Sequence, residues 1–414
     1  MLPQAQDLRR TIQLPISEWL SQGERTEIPW TVALTEPVLT FQLRTVVRVT
    51  AKIDAKVLQK QGVMHQLHFI VKAAAENGEW DDEESYSSIK IDGKLVNTEL
   101  QMLADLYLQP GAYRVATIVY DAVSKKRNVS FSRVEISAPD RDWFPGLLTG
   151  IPRITLLPPP DSTAPLAPER VSLPVATERP IQLDLIVDLS AHEKDYEPAG
   201  SLLLRNQIQR VFFIDRAAGE DLRFPSVVRP QHLFFDAYNQ SLLLETASTL
   251  SGLDLKGGCM RIAVLDIPQH RVLLPLTRAK EVDWDRMEDE ILSPNQAMVS
   301  VRTLEDGRKA VSFFQEQIAQ ATSESTSCKL GSQEALHVVA ILSRGQRFTS
   351  GKKREKLSPE CNCKVFYLRQ TAYSSPPDDL KGMLKPLSPK VLEFSDPQQF
   401  REKLLEFTRA LAAF

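Results

Sequence analysis

Two patterns of apolar positions divide the chain. From Ile28 to Pro139 apolar residues recur at every second position in short runs closed by turn residues, as in Val38–Thr50, His65–Val71 and Ser88–Ile91. A period of two gives a strand one buried and one solvated face, so this stretch predicts a β-sandwich. Pro37 and Gly62 break the runs, and Ile91-Asp-Gly-Lys predicts a tight turn. Pro110-Gly111 forces another turn, after which Tyr113 opens a strand with Val115, Thr117 and Val119 on one face. A turn at 124–128 then leads into a closing strand over 129–136.

Beyond residue 180 the runs lengthen and helical spacing enters. Ile181–Ser190 is a near-continuous apolar strand ending in polar residues. Leu242, Leu243, Thr246, Leu250 and Leu253 predict a helix over 238–253, and 260–267 with 271–276 predict a hairpin. A helix follows over 309–321, then buried strands over 335–342 and 364–368. An amphipathic helix over 400–413, capped by Ser395 or Asp396, closes the chain. Strand–helix alternation implies a mainly parallel, doubly wound α/β sheet covered on both faces. Between the halves, residues 151–170 are dense in proline, which fixes φ and removes donors, so a semi-rigid spacer is expected. The predicted division is an N-terminal segment 1–27, a sandwich 28–140, a Pro-rich linker 141–180 and an α/β domain 181–414.

Composition narrows the partners more than the fold. At 414 residues the chain exceeds one ordinary core of about 100–200 residues. Its net charge of −3 carries no basic excess, so no nucleic-acid partner is expected. No apolar run reaches the roughly 18 residues of a membrane span. The N-terminus lacks a charged segment followed by a long apolar one, so it reads either as a mature end or as the tail of a clipped signal.

Few side chains offer chemistry. His65 and His68 lie three apart on a strand, facing opposite sides, and cannot share a metal. Glu79-Trp-Asp-Asp-Glu-Glu lacks the alternating spacing of a calcium loop and reads as a solvated acidic loop. The basic stretch 351–356 has no interleaved aromatics and reads as a solvated loop. There is no Gly-rich phosphate loop, nucleophile motif or zinc helix, so no catalytic residue and no cofactor are expected.

Two resemblances organise these readings. The Pro110-Gly111 turn leading into Tyr113 resembles the tyrosine corner of immunoglobulin-like and fibronectin-like sandwiches, whose phenol ties to an upstream backbone group. Residues 180–414, with the hairpin after the first helix and Asp188-x-Ser190 after the first strand, resemble a von Willebrand factor A-type domain, and more closely the bacterial proteins related to it. The stretch 193–236 reads as an insertion. The resemblance implies a divalent-cation site built by a D-x-S-x-S motif, a loop threonine and a later aspartate. Asp188 and Ser190 match it, but His192 stands at the second serine and Ser343-Arg344-Gly345 stands where an acid is required. Ser300 and Thr303 are both candidates for the threonine. A fixed cation at Arg344 opposes a metal, so a degenerate, metal-free site is expected, either with Arg344 pairing Asp188 in place of the ion or with Arg344 pointing to solvent and Asp188 capping the next segment.

The same fold places Cys328 ahead of one strand and Cys361-Asn-Cys363 ahead of its neighbour, within reach of a disulfide in an exported protein; free thiols are the alternative. The expectation is a non-enzymatic protein-binding scaffold of unidentified partner, periplasmic or extracellular, with cytoplasmic residence open. The alternatives are a subunit of an envelope or extracellular assembly and a magnesium- or calcium-dependent adhesin.

Overall fold

Period-two alternation in the first half becomes two antiparallel sheets, and the longer runs of the second half become one mainly parallel sheet flanked by helices. The protein is thus mixed α/β, mostly strand, with few helices. The computed structural model describes residues 14–93, 98–138, 144, 146–156, 170–190, 212–215, 232–234, 237–267, 269–284, 286–287, 298–300, 307–322, 335–345, 363–371 and 378–414.

The first half opens with helix α1 (Ile16–Gln22), followed by β1 (Arg25–Thr26), β2 (Thr31–Leu34), β3 (Val38–Leu39) and β4 (Thr45–Asp54). A short helix α2 (Ala55–Gln59) precedes β5 (Met64–Ala75), β6 (Ser85–Asp92), β7 (Thr98–Leu108), β8 (Gly111–Asp121) and β9 (Arg127–Ile136). One sheet has the order β1-β9-β8-β5-β6. The other runs β7-β4-β2, with β10 (Ile154–Leu156) on the far side of β7. Val47, Val49, Phe69, Val71, Leu106 and Val115 fill the core between them. The outer face of the five-stranded sheet carries a second apolar layer, where Trp19 and Leu20 of α1 cover Ile70, Ile118 and Val129. Residues 14–27 are therefore part of this unit rather than a separate segment.

The phenol of Tyr113 donates to the Gln109 carbonyl at 2.8 Å, closing the turn that Pro110-Gly111 starts. His65 bridges the Asp121 carboxylate at 2.8 Å and the Leu58 carbonyl at 3.0 Å, while His68 bonds the Tyr86 hydroxyl at 2.6 Å. Both imidazoles are buried and tie strands together. In the acidic loop, Trp80 stacks on Phe131 and under Arg114, which anchors the segment to the sheet.

The predicted linker is divided between the two halves. Ile154 and Leu156 belong to the first core, whereas Val171, Leu173 and Val175 are buried in the second. β11 (Leu173–Val175) pairs in parallel with β15 (Leu253–Leu255). Gly252 permits this approach: a Cβ there would sit 2.1 Å from the Val171 carbonyl oxygen. The proline-dense 157–169 lies outside the described residues.

The α/β half continues with β12 (Ile181–Asp188), β13 (Phe212–Asp215), β14 (His232–Phe234), α3 (Ala237–Ser251), β15, β16 (Cys259–Asp266), β17 (Arg271–Arg278) and β18 (Met298–Ser300). It closes with α4 (Gly307–Thr322), β19 (Leu336–Ser343), β20 (Lys364–Gln370), α5 (Asp379–Leu384), β21 (Lys390–Phe394) and α6 (Pro397–Ala412). Asp396 accepts from the Gln399 amide at 2.9 Å and caps α6. The main sheet has the order β17-β16-β12-β19-β20-β21, parallel except for β17. Counted from β12, this is the doubly wound order 3-2-1-4-5-6. Leu183, Leu185 and Val187 face α3 and α6, while Ile186, Val339 and Ile341 face α4 and α5. Within the predicted insertion, β13 pairs with β7 of the first half and β14 with β18.

The run from Val38 to Thr50 is not one strand. It breaks at 40–44, where Leu43 adopts φ 59°, and Phe41 leaves the first unit to enter the second. Phe41 packs on Phe394 and Phe400, and its carbonyl accepts from the Thr249 hydroxyl at 2.8 Å. Arg44, buried behind it, stacks on Tyr107 and bonds Thr155. Deleting a buried phenylalanine costs about 3–5 kcal/mol. Phe41→Ala is therefore expected to lower stability by about 3 kcal/mol and to split thermal unfolding into two transitions by calorimetry.

Within β12 the carboxylate of Asp184 is fully buried. Arg261 on β16 grips it bidentately at 2.7 and 2.6 Å, and His337 on β19 reaches it at 2.8 Å. Burial alone would raise the Asp184 pKa, but the bonds from His337 and Arg261 outweigh it and hold the group below its ordinary 3.8. The resulting stability is present above that value and lost as pH falls through the lower folded value. Urea midpoints should therefore drop steeply below about pH 4, and the advantage of wild type over Asp184→Asn should shrink in the same range.

Candidate functional site

Parallel strands that share an edge bring their loop ends together, and the order reverses between β12 and β19. Ligands of such sheets bind at that switch point. Asp188 ends β12, and its side chain is buried. Its Oδ1 accepts from the Ser190 amide at 3.0 Å and from the Ser190 hydroxyl. Its Oδ2 accepts from the Ser343 hydroxyl of β19 at 2.8 Å. Ser190 Oγ in turn accepts from the Ile267 amide at 2.9 Å, and Ser343 Oγ from the Gly345 amide at 2.9 Å. Three of the residues singled out from sequence, Asp188, Ser190 and Ser343, thus form one hydrogen-bonded cluster across two strands, β12 and β19.

Arg344 follows directly and is buried, 9% exposed. Gly345 turns the chain at φ +90°, and a Cβ there would lie 3.1 Å from the Asp378 carboxyl carbon. Asp378 caps α5 through the Lys381 amide, accepts from the Tyr367 phenol at 2.8 Å and pairs with Arg369 at 3.0 Å. Burial first, and the Asp378 charge second, push the Tyr367 phenol well above its ordinary range, so it remains a neutral donor. His192 and Thr303 lie outside the described residues, as do Cys328, Cys361 and the basic stretch 351–356. Ser300 falls on β18.

One acid at this edge carries no sequence signature. Asp266 ends β16 beside Asp188; burial and then the Asp188 charge push its pKa up to about 7, against bonds from Gln269. Gln240 of α3 is also buried here and donates to the Leu189 carbonyl. Among the described residues no three His, Cys, Asp or Glu side chains group closely enough to hold a metal ion.

At the opposite edge, Cys363 is disulfide-bonded, as the sequence reading allows, and so is Cys259, which that reading left out. Cys259 begins β16 and Cys363 precedes β20, with β12 and β19 between, so the two are not bonded to one another. Cys259 sits after a Gly-Gly turn, and only the strand order brings it to the same edge as Cys363.

No protein-family model matches the chain, and no curated protein matches it either. Among the described residues no helix is long and apolar enough to cross a membrane.

Ser343 serves both as donor to Asp188 and as acceptor from Gly345. Ser343→Ala should cost about 1–3 kcal/mol by removing one hydrogen bond from each of two buried groups, whereas Ser343→Thr should retain most of the stability, as read from urea denaturation.

Proposed function

We propose that the chain is a non-enzymatic protein-binding scaffold, in which an immunoglobulin- or fibronectin-like sandwich carries a von Willebrand factor A-type domain that has lost its metal. The Tyr113–Gln109 bond supports the first assignment. The strand order and the position of Asp188 and Ser190 at the central strand tip support the second. The observation that carries the metal-free reading is the occupied Asp188 carboxylate, with both oxygens held by Ser190 and Ser343 hydroxyls and the buried cation Arg344 next in the chain.

Magnesium and calcium need several hard oxygens and a negative field. Asp188, Ser190 and Ser343 offer the oxygens, but a guanidinium in place of an acid adds a like charge in a low-dielectric crevice. The donor set does not fit the ion. Disulfides at Cys259 and Cys363 support residence in an oxidising compartment, periplasmic or extracellular. A role as a subunit of an envelope assembly lies within the same reading, since a hook such as Phe41 presents both halves in a fixed pose.

Asp266 favours a second reading. Burial first, and the neighbouring Asp188 charge second, disfavour its ionised form, and a cation recruited by a metal-dependent adhesin would relieve the second of these. Calorimetric titration with Mg²⁺, Mn²⁺ and Ca²⁺ separates the two. The scaffold reading expects no micromolar binding and EDTA-insensitive capture of its partner from native extract. Micromolar binding lost in Asp188→Ala would sink it in favour of the adhesin.

A further inference from the structure

We propose that the face of the α/β sheet under α4 carries a site for a single-chain amphipathic anion, an alkyl carboxylate of medium length. A cavity of about 290 Å³ opens between the C-terminal half of α4 and the antiparallel edge strand β17. Ile186, Ala263 and Ala321 form a buried floor, Leu276 a wall, and Gln317 and Gln320 part of the rim. The volume lies at the small end of ligand pockets, roughly 300–1,000 Å³, which suits one alkyl chain better than a fused ring system. An apolar floor admits no charge, so a charged head must lie at the rim.

The cation for that head is set by strand register. Arg278 and Arg261 are Cα partners, and Arg261 is in turn the partner of Asp184. Arg278 stands two residues beyond Leu276, Arg261 two before Ala263, and Asp184 two before Ile186, so this row shares the face of the cavity. Two residues along a strand span roughly 7 Å, about one carboxylate and its first methylenes. Within the row Asp184 is matched by Arg261 and further bonded by His337. Arg278 adds a second guanidinium, is exposed, and makes no ion pair among the described residues. The row therefore carries excess positive charge directly beside an apolar slot. A cationic head would be repelled there, a neutral one would gain no charge-assisted bond, and a carboxylate would gain one from Arg278.

The test uses the full chain with decanoate as probe, and decanol and acetate as controls lacking head or tail. Arg278→Gln and Gln320→Trp alter only exposed rim positions. Saturable decanoate binding is expected, followed by calorimetry and by a rise in melting temperature. It should weaken about tenfold in Arg278→Gln, as for loss of one charge-assisted bond, and disappear in Gln320→Trp, whose indole covers the mouth. Absence of saturable decanoate binding overturns the proposal. So does decanoate affinity unchanged by Arg278→Gln, or decanol or acetate binding as tightly as decanoate.

Discussion

A carboxylate in the middle of the central strand is the constraint around which the α/β half is built. All eight residues of β12 are buried, and Asp184 is one of them. An unpaired charge at that depth costs several kcal/mol, so the flanking strands must supply partners. Arg261 and His337 do so from β16 and β19, one on each side. A slip of either neighbour by one residue would turn its partner to the wrong face. The pairing thus fixes register across three strands, and with it the alignment of the tips that carry Asp188, Ser190 and Ser343.

The two ends of the sheet consequently have different characters. At the C-terminal edge the polar groups are closed on one another: the hydroxyls of Ser190 and Ser343 satisfy Asp188, and Asp378 is held by Tyr367 and Arg369. Near the other end, toward β17, charge is in excess and an apolar cavity lies open. The hook at Phe41 joins this sheet to the first half through aromatic packing, so burial sets the pose of the two units.

Much of the architecture was legible in the order of residues. The strand runs, the hairpin of β16 and β17, and helices α3, α4 and α6 follow from periodicity because each buries one face against a single core. The turn at Pro110-Gly111 was legible from its own residues, and the bond from Tyr113 from the resemblance to a tyrosine corner. The run at Val38–Thr50 misled because alternation records that Phe41 and Leu43 are buried without recording in which core. The linker misled likewise: Ile154 and Val171 look alike in sequence and are buried on opposite sides of the junction.

Sequence by itself determined the mixed α/β class and the presence of Asp188-x-Ser190 and of Arg344 after the run 335–342, because these depend on composition and spacing along one segment. Tertiary structure decided that Ser343 donates to Asp188, that Asp266 ends the neighbouring strand beside it, that Asp184 is paired by Arg261 and His337, and that Cys259 lies at the edge of Cys363. Each of those is a contact between strands far apart in the chain. Its energy depends on register and depth of burial, quantities that no local pattern of residues encodes.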